Sequence, residues 1–127
     1  TRSLRIGGTG TGRAADLLGA VLDAQLAGLA VVADGVPIAE VDAACRSTLE
    51  AAGLGDAFSH GTGHGVGLDI HEGPAVSSTS TGTLLAGQVV TVEPGAYLGG
   101  FGGVRWEDTV LVTADGHRRL TLSPKEL

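Results

Sequence analysis

Residues 60–74 read HGTGHGVGLDIHEGP, a stretch in which three histidines are interspersed with five glycines. His60 and His64 are four residues apart, which is the spacing of two zinc ligands on a metalloprotease helix. Two of the three residues between them are glycine, so a helix is unfavourable there. We therefore expect both histidines on irregular or extended backbone that approaches another chain segment or a ligand closely. A closed structural zinc site is not expected, because such sites favour several cysteines and the chain has one.

Two strand patterns follow this stretch, and each places a glutamate on a defined face. Residues 88–93 alternate so that Glu93 shares a face with Val89 and Thr91, and residues 104–113 alternate so that Glu107 shares a face with Arg105. The segment between them, residues 94–103, contains five glycines and is typical of a hairpin connection. A hairpin would bring the two carboxylates opposite each other, where they repel unless a proton or cation lies between them. Two divalent ions roughly 3.5–4 Å apart are one arrangement that uses such a pair.

Two helices are predicted upstream. Leucines recur at helical spacing from Arg13 to Ala33, and a second apolar stripe runs from Pro37 to Gly53 and includes Cys45. A short strand is predicted over Ser3–Ile6. The order of strand, two helices and antiparallel strands predicts an α+β fold, with two helices packed on an antiparallel sheet.

Composition, net charge and the length of apolar runs indicate which classes of function are not expected. The chain has 127 residues, 43% hydrophobic and 17% charged, which fits one globular domain. Its net charge is −6 without a Lys/Arg cluster, so nucleic-acid binding is not expected. Unbroken apolar runs fall well short of the roughly 20 residues of a membrane span, so no membrane association is expected. The single cysteine, Cys45, cannot form an internal disulfide, which favours a cytoplasmic location.

Three motifs in order resemble those of the pita-bread-fold metallopeptidases, a family that includes prolidase, aminopeptidase P, methionine aminopeptidase and creatinase. They are HGTGHGVGLDIHEGP at 60–74, VEPG at 92–95 and VRWEDTV at 104–110. Thr1-Arg2 and the closing residues 120–127 also resemble family segments. The Arg-x-Glu-Asp-Thr sequence and His60 resemble prolidase and aminopeptidase P most. The resemblance implies the C-terminal half of a pita-bread fold.

The resemblance also implies roles for individual positions. His64, Glu93 and Glu107 would be metal ligands, with Glu93 also shuttling protons. The implied catalytic residues are His60, His71, Glu93 and Arg105, of which the two histidines would orient the scissile carbonyl and Arg105 would hold a carboxylate. The implied cofactors are two divalent ions (Mn, Co or Zn), and the implied substrate is a peptide with proline in second position.

The family site also uses two upstream aspartates, and this sequence begins just past the position that resembles the second. We therefore expect residues 1–127 to be the C-terminal portion of a catalytic domain whose upstream half is absent. As an isolated chain it is expected to lack peptidase activity. It is also expected to form a homo-oligomer or to associate with a separate N-terminal half.

Two alternatives remain open at this stage. A strand at 3–6, the sequence GTGRAA at 10–15, a helix and Asp34 about 20 residues later resemble a dinucleotide-binding domain, which would require a parallel strand after the first helix. A non-catalytic binding module with a pita-bread fold is the other alternative.

Overall fold

The structure, a computed structural model, describes residues 1–7 and 10–125. Two α-helices pack on antiparallel strands, which confirms the predicted α+β architecture of the C-terminal portion of a pita-bread fold. Every strand pairing in the described residues is antiparallel. The elements are α1 (Arg13–Val31), α2 (Ile38–Ala51), a 3-10 turn (Gly55–Ala57), β1 (Gly63–Gly65), β2 (Glu72–Val76), β3 (Val89–Val92), β4 (Gly95–Leu98), β5 (Gly102–Arg105), β6 (Asp108–Thr113) and β7 (Gly116–Arg119).

Both helices lie where the apolar periodicity predicts them. Pro37 precedes the first residue of α2, and its fixed φ suits that position. After α2, Gly53 adopts φ 72°, a left-handed conformation that ends helices readily. The apolar stripes of the two helices face each other and the sheet, so the core lies between the helix layer and the strands.

Helix α1 approaches α2 most closely at Gly28. A Cβ atom added to Gly28 would collide with the Sγ atom of Cys45 and press on Val92 of β3. Cys45 is fully buried, as predicted, and burial raises the pKa of its thiol to about 12. The thiol is therefore neutral at physiological pH and serves as a packing group.

By length and composition alone, α1 could cross a membrane, since an 18-residue window within its 19 residues has a mean hydropathy of 1.5. The prediction from apolar runs overlooked this helix because Asp16 and Asp23 interrupt the runs. In the fold its most buried residues pack into the core: Leu17, Leu18, Val21, Ala24, Gln25, Gly28 and Leu29. Core packing therefore accounts for the apolar face of α1.

Strands β3 to β6 form one long hairpin with an interruption. Val92 lies opposite Asp108, and Gly95 lies opposite Arg105, so both halves share a single register. Between these pairs the ladder breaks, and the chain contributes β3 and β6 to a five-stranded sheet and β4 and β5 to a separate two-stranded sheet. The prediction of one unbroken strand over residues 104–113 is therefore wrong. The prediction that residues 94–103 are only a connection is also wrong, since they include β4.

The N-terminal segment differs from the prediction. No strand is assigned to Ser3–Ile6, because Ser3 contacts β5 through its side chain, whose Oγ atom is 3.2 Å from both the backbone O and the backbone N of Arg105. After α1 the chain turns through Asp34 into α2, and no parallel strand occurs in the described residues. The dinucleotide-binding alternative is therefore rejected.

The sheet order is β2-β1-β3-β6-β7, so β2 and β7 are the edges. Pro74 lies in β2 and has no backbone N–H, while β7 carries Arg118 and Arg119. Edge proline and edge charges both disfavour pairing with another chain. Association through an edge of this five-stranded sheet is thus unfavourable.

The close contact at Gly28 predicts opposite effects for two glycines of α1. We expect Gly28→Ala to lower the free energy of unfolding by about 1–3 kcal/mol, because the new methyl group overpacks against Cys45. Gly19→Ala is the matched control, since no atom outside its own helix lies within reach of the added carbon. It should raise stability by up to about 1 kcal/mol. Urea unfolding measures both, and equal effects of the two substitutions would contradict the packing described at Gly28.

Candidate metal-binding site

His64 of β1 and Glu93, which directly follows β3, form the centre of the candidate site. The Nδ1 atom of His64 lies 2.8 Å from the carbonyl oxygen of Gly65, and because a carbonyl can only accept, Nδ1 must carry the proton. In the neutral imidazole the Nε2 atom then presents a lone pair, and it lies 3.1 Å from Oε1 of Glu93. Two acceptor atoms face each other at this distance. Two such acceptors repel each other unless a proton or a cation lies between them.

Backbone contacts keep this pair in place. The N–H of Glu93 donates to the carbonyl of Thr62 at 2.7 Å, and the Thr91 hydroxyl donates to Glu93 Oε1 at 2.9 Å. The N–H of His64 in turn donates to the Thr91 hydroxyl at 3.0 Å. Gly63 lies so close to the Thr91 carbonyl that any Cβ atom would collide with it. The glycines of the histidine stretch therefore allow the close backbone approach that the sequence predicts.

Glu107 lies in the break between β5 and β6, and the register shared by the two halves of the hairpin places it across from Glu93. Its carboxylate contacts the ammonium of Thr1 at 3.0 Å and also accepts the Thr1 hydroxyl. Burial alone would raise the pKa of Glu107. The hydrogen bonds from Thr1, together with the positive charges of the ammonium and Arg105, outweigh burial and hold that pKa below its usual value.

Arg105 lies near Glu93 without forming the forked ion pair expected of it. Its Nε atom is 3.7 Å from Glu93 Oε2, beyond hydrogen-bond distance, and has no hydrogen-bond partner among the described residues. Its Nη2 atom donates to the Thr1 hydroxyl at 3.3 Å. The guanidinium of Arg105 therefore interacts with Glu93 through its charge. It also contacts Thr1, whose hydroxyl donates to Glu107.

The other two histidines occupy different surroundings. The ring of His71 lies 4.3 Å from the ring of His64, centre to centre, and is exposed. His60 uses Nδ1 toward its neighbouring Gly61 carbonyl at 2.7 Å, so its Nε2 accepts the hydroxyl of Tyr97 at 2.9 Å. Sequence analysis missed Tyr97, because the strand that presents it, β4, was assigned to the hairpin connection.

Residues 1–114 match the sequence profile of metallopeptidase family M24. The chain belongs to that family. It is 45% identical over 107 residues to a Xaa-Pro dipeptidase of Pyrococcus furiosus, an alignment that covers 84% of this chain and 30% of the relative. This comparison and the fold confirm the predicted family resemblance.

Solved structures of the same family superpose closely on the M24 chain. A prolidase from Pyrococcus furiosus matches with TM-score 0.93 and 39% identity, covering 97% of this chain and 36% of that one. A Xaa-Pro dipeptidase from Bacillus anthracis matches with TM-score 0.86 and 46% identity, covering 88% and 32%. The M24 chain therefore spans about a third of the length of these relatives.

The donor chemistry of the M24 chain suits a divalent ion in part. An imidazole lone pair beside a carboxylate oxygen is a ligand pair that Mn²⁺, Co²⁺ and Zn²⁺ all accept, and the Gly65 carbonyl orients the imidazole. The structure does not bring Glu107 into the same cluster. Within residues 1–7 and 10–125, no three His, Cys, Asp or Glu side chains are close enough to hold one metal ion. Among the described residues, the His64 and Glu93 side chains are therefore two ligand groups that lie together, short of a set of three.

A buried carboxylate next to the site was missed by sequence analysis. Asp108 is fully buried and contacts three cations, with distances of 2.7 Å to Arg2, 3.1 Å to Arg119 and 2.6 Å to Lys125. Burial alone would raise the pKa of Asp108, but these cations and a hydrogen bond from Gln25 hold it below its usual value. The strand alternation indicated that Asp108 is buried, because Asp108 falls on the same face as the core valines of β6. A buried carboxylate needs cationic or hydrogen-bonding partners.

This cluster predicts a pH-dependent loss of stability in Asp108→Asn. The substitution leaves three cations without their carboxylate, which should cost about 3–5 kcal/mol near neutral pH. Because the folded-state pKa of Asp108 is depressed, its stabilisation is fully present above the unfolded value of about 3.9 and is lost as pH falls through the folded value. The difference between wild type and variant should therefore shrink below about pH 4.

Urea unfolding between pH 7 and pH 2 measures this difference, with exposed Asp115→Asn as the control. A gap between wild type and Asp108→Asn that stays constant over the whole range would contradict the charge cluster.

Proposed function

We propose that this M24 chain forms part of a metal-dependent exopeptidase that cleaves the bond between a residue and a following proline. The observation that carries this proposal is the pair of facing acceptors, His64 Nε2 and Glu93 Oε1, 3.1 Å apart. Family membership and the 45% identity to a Xaa-Pro dipeptidase support the substrate class. The match covers a third of that relative, so the activity of the complete enzyme is part of the proposal.

His64, Glu93 and Glu107 are the proposed ligands of a dinuclear site that takes Mn²⁺, Co²⁺ or Zn²⁺. When bound, such ions lower the pKa of a coordinated water toward neutrality, which makes it a nucleophile for the peptide carbonyl. Glu93 has a second role in the proposal. Its Oε1 atom accepts the hydrogen bond of Thr91 and lies next to Nε2 of His64. Its Oε2 atom faces Arg105 and is proposed to accept and return a proton.

The remaining site residues are proposed to act on the substrate. His71 lies beside His64 and is exposed, so it can donate a hydrogen bond to the carbonyl oxygen of a bound peptide. His60 has its Nδ1 proton directed to Gly61 and its Nε2 engaged by Tyr97, so it can contact substrate only by exchanging the Tyr97 bond. Arg105, whose Nε atom lies 3.7 Å from Oε2 of Glu93, is proposed to hold the Glu93 carboxylate in place through its charge.

The isolated chain is proposed to bind metal weakly and to be inactive. Since no three-residue ligand set occurs in the described residues, the remaining ligands would come from polypeptide outside this chain. The same observation favours a second candidate function, a non-catalytic binding module with this fold. The cytoplasmic location stays a prediction, which the unpaired, buried Cys45 supports.

Metal content and hydrolysis together test the proposal. The chain is measured alone and joined to the upstream segment of the Pyrococcus furiosus Xaa-Pro dipeptidase, with Mn²⁺, Co²⁺ or Zn²⁺ supplied. We expect fewer than two bound ions and no Xaa-Pro hydrolysis for the chain alone, and two ions with hydrolysis for the joined protein. In the joined protein, His64→Ala and Glu107→Gln should each lower metal content, while exposed Asp115→Asn should not.

Each outcome has a defined meaning. Two bound ions without hydrolysis of any Xaa-Pro dipeptide or N-terminal Xaa-Pro peptide would favour the non-catalytic module. Two tightly bound ions and full activity in the isolated chain would contradict the account of missing ligands.

Self-association of the isolated chain is expected through the loop beside the site. Leu68 is fully exposed and Ile70 is 73% exposed there, next to His71, and exposed apolar side chains that lie together favour association. Light scattering after size exclusion should show an oligomer for the wild type and more monomer for Leu68→Ser/Ile70→Ser. Leu85→Ser, at another exposed leucine, is the control. A wild-type chain that stays monomeric at high concentration would contradict this prediction.

A further inference from the structure

Helix α2 contains an ion pair between a buried carboxylate and a half-buried guanidinium that none of the site roles explains. Asp42 is fully buried and receives two bonds from Arg46, Nε to Oδ2 at 2.9 Å and Nη2 to Oδ1 at 3.2 Å. Burying such a pair costs free energy that an apolar pair of similar volume would not. The remaining buried residues of α2 already attach the helix to the core.

Both members of the pair contact the segment that leads into β1, residues 58–62. Oδ1 of Asp42 accepts the N–H and the hydroxyl of Thr62, at 3.1 and 3.0 Å. Arg46 donates to the carbonyl of Phe58 through Nη1 and to the carbonyl of His60 through Nη2, both at 3.1 Å. No helix or strand is assigned to residues 58–62, so the ion pair supplies the partners that regular secondary structure would otherwise provide.

Two short paths lead from this segment to the candidate site. The carbonyl of Thr62 accepts the N–H of Glu93 at 2.7 Å, so the residue bound by Asp42 also holds the backbone of Glu93. On the other path, the guanidinium of Arg46 lies 4.3 Å from the ring centre of Phe58, and that ring meets the ring of His60 edge-on at 5.1 Å.

We propose that the Asp42–Arg46 pair is a positioning device that fixes the backbone of residues 58–62 and, through it, sets the placement of His60 and Glu93. Neither residue touches the candidate metal position, so both act through the segment they hold. The importance of this placement for catalysis rests on the proposed function. The placement itself does not, so the experiment uses a readout that is independent of activity.

The experiment measures amide hydrogen exchange by NMR on the complete 127-residue chain. Thr62→Val removes the hydroxyl that Asp42 accepts while preserving side-chain shape, and Arg46→Lys preserves the charge but loses the planar fork of donors. In both variants we expect the Glu93 and Thr62 amides to exchange about tenfold faster, relative to the slowest core amides, as for a lost hydrogen bond to a charged group. Thr62→Ser keeps the hydroxyl and should restore exchange to within about twofold of wild type.

Two further variants separate positioning from general destabilisation. Val41→Ala truncates a core residue of the same helix and should speed exchange across the protein without singling out Glu93. Glu40→Gln removes an exposed charge from α2 and should leave exchange unchanged.

The proposal is overturned if the Glu93 amide responds no more than the core amides in Thr62→Val and Arg46→Lys. It is also overturned if Val41→Ala produces the same local pattern, or if Thr62→Ser fails to restore protection. A missing peptidase activity would count against the proposed function alone, because the exchange measurement requires no substrate.

Discussion

The architecture of the site depends on the interruption in the long β3–β6 hairpin. On either side of it the two strands share one register, yet at the break their amides take other partners. The N–H of Glu93 bonds to the Thr62 carbonyl, and the N–H of Glu107 bonds to the Thr1 carbonyl. Pro94 follows Glu93 and has no N–H to continue the ladder. The regular ladder is therefore interrupted at the two glutamates, and the N–H of Trp106, which donates to the carbonyl of Pro94 at 3.4 Å, still connects the two sides there.

Charge compensation distinguishes Glu93 from the other buried or half-buried carboxylates near it. Asp42 is paired with Arg46, Asp108 with three cations, and Glu107 with the Thr1 ammonium. Glu93 has only a distant Arg105 and faces a histidine nitrogen that presents a lone pair. The Glu93 carboxylate beside His64 is therefore the position proposed for a cation.

Several surrounding contacts fix the relative positions of the His64 and Glu93 side chains. The Gly65 carbonyl fixes the tautomer of His64, the Thr91 hydroxyl bridges His64 and Glu93, and Gly63 lets β1 approach β3 closely enough for both contacts. Helix α2 adds its ion pair on the far side of the same loop. The site is therefore built on backbone carbonyls and buried polar contacts, which keep ligand groups preorganised more firmly than exposed side chains would.

The sequence by itself determined the two helices, the placement of Glu93 and Glu107 across from each other in one hairpin, the close backbone approach at the histidine stretch and the family. Each of these depends on periodicity, glycine content or an ordered motif, and all three are local properties of the chain. Tertiary structure alone decided the break in the hairpin, the separation of Glu107 from the His64–Glu93 pair, the Tyr97 bond to His60 and the cations around Asp108. The same is true of Ser3–Ile6, where a side-chain contact replaces the predicted strand. The physical reason is that periodicity determines which face of an element is buried, whereas the partner of a buried polar group is chosen by segments up to a hundred residues away.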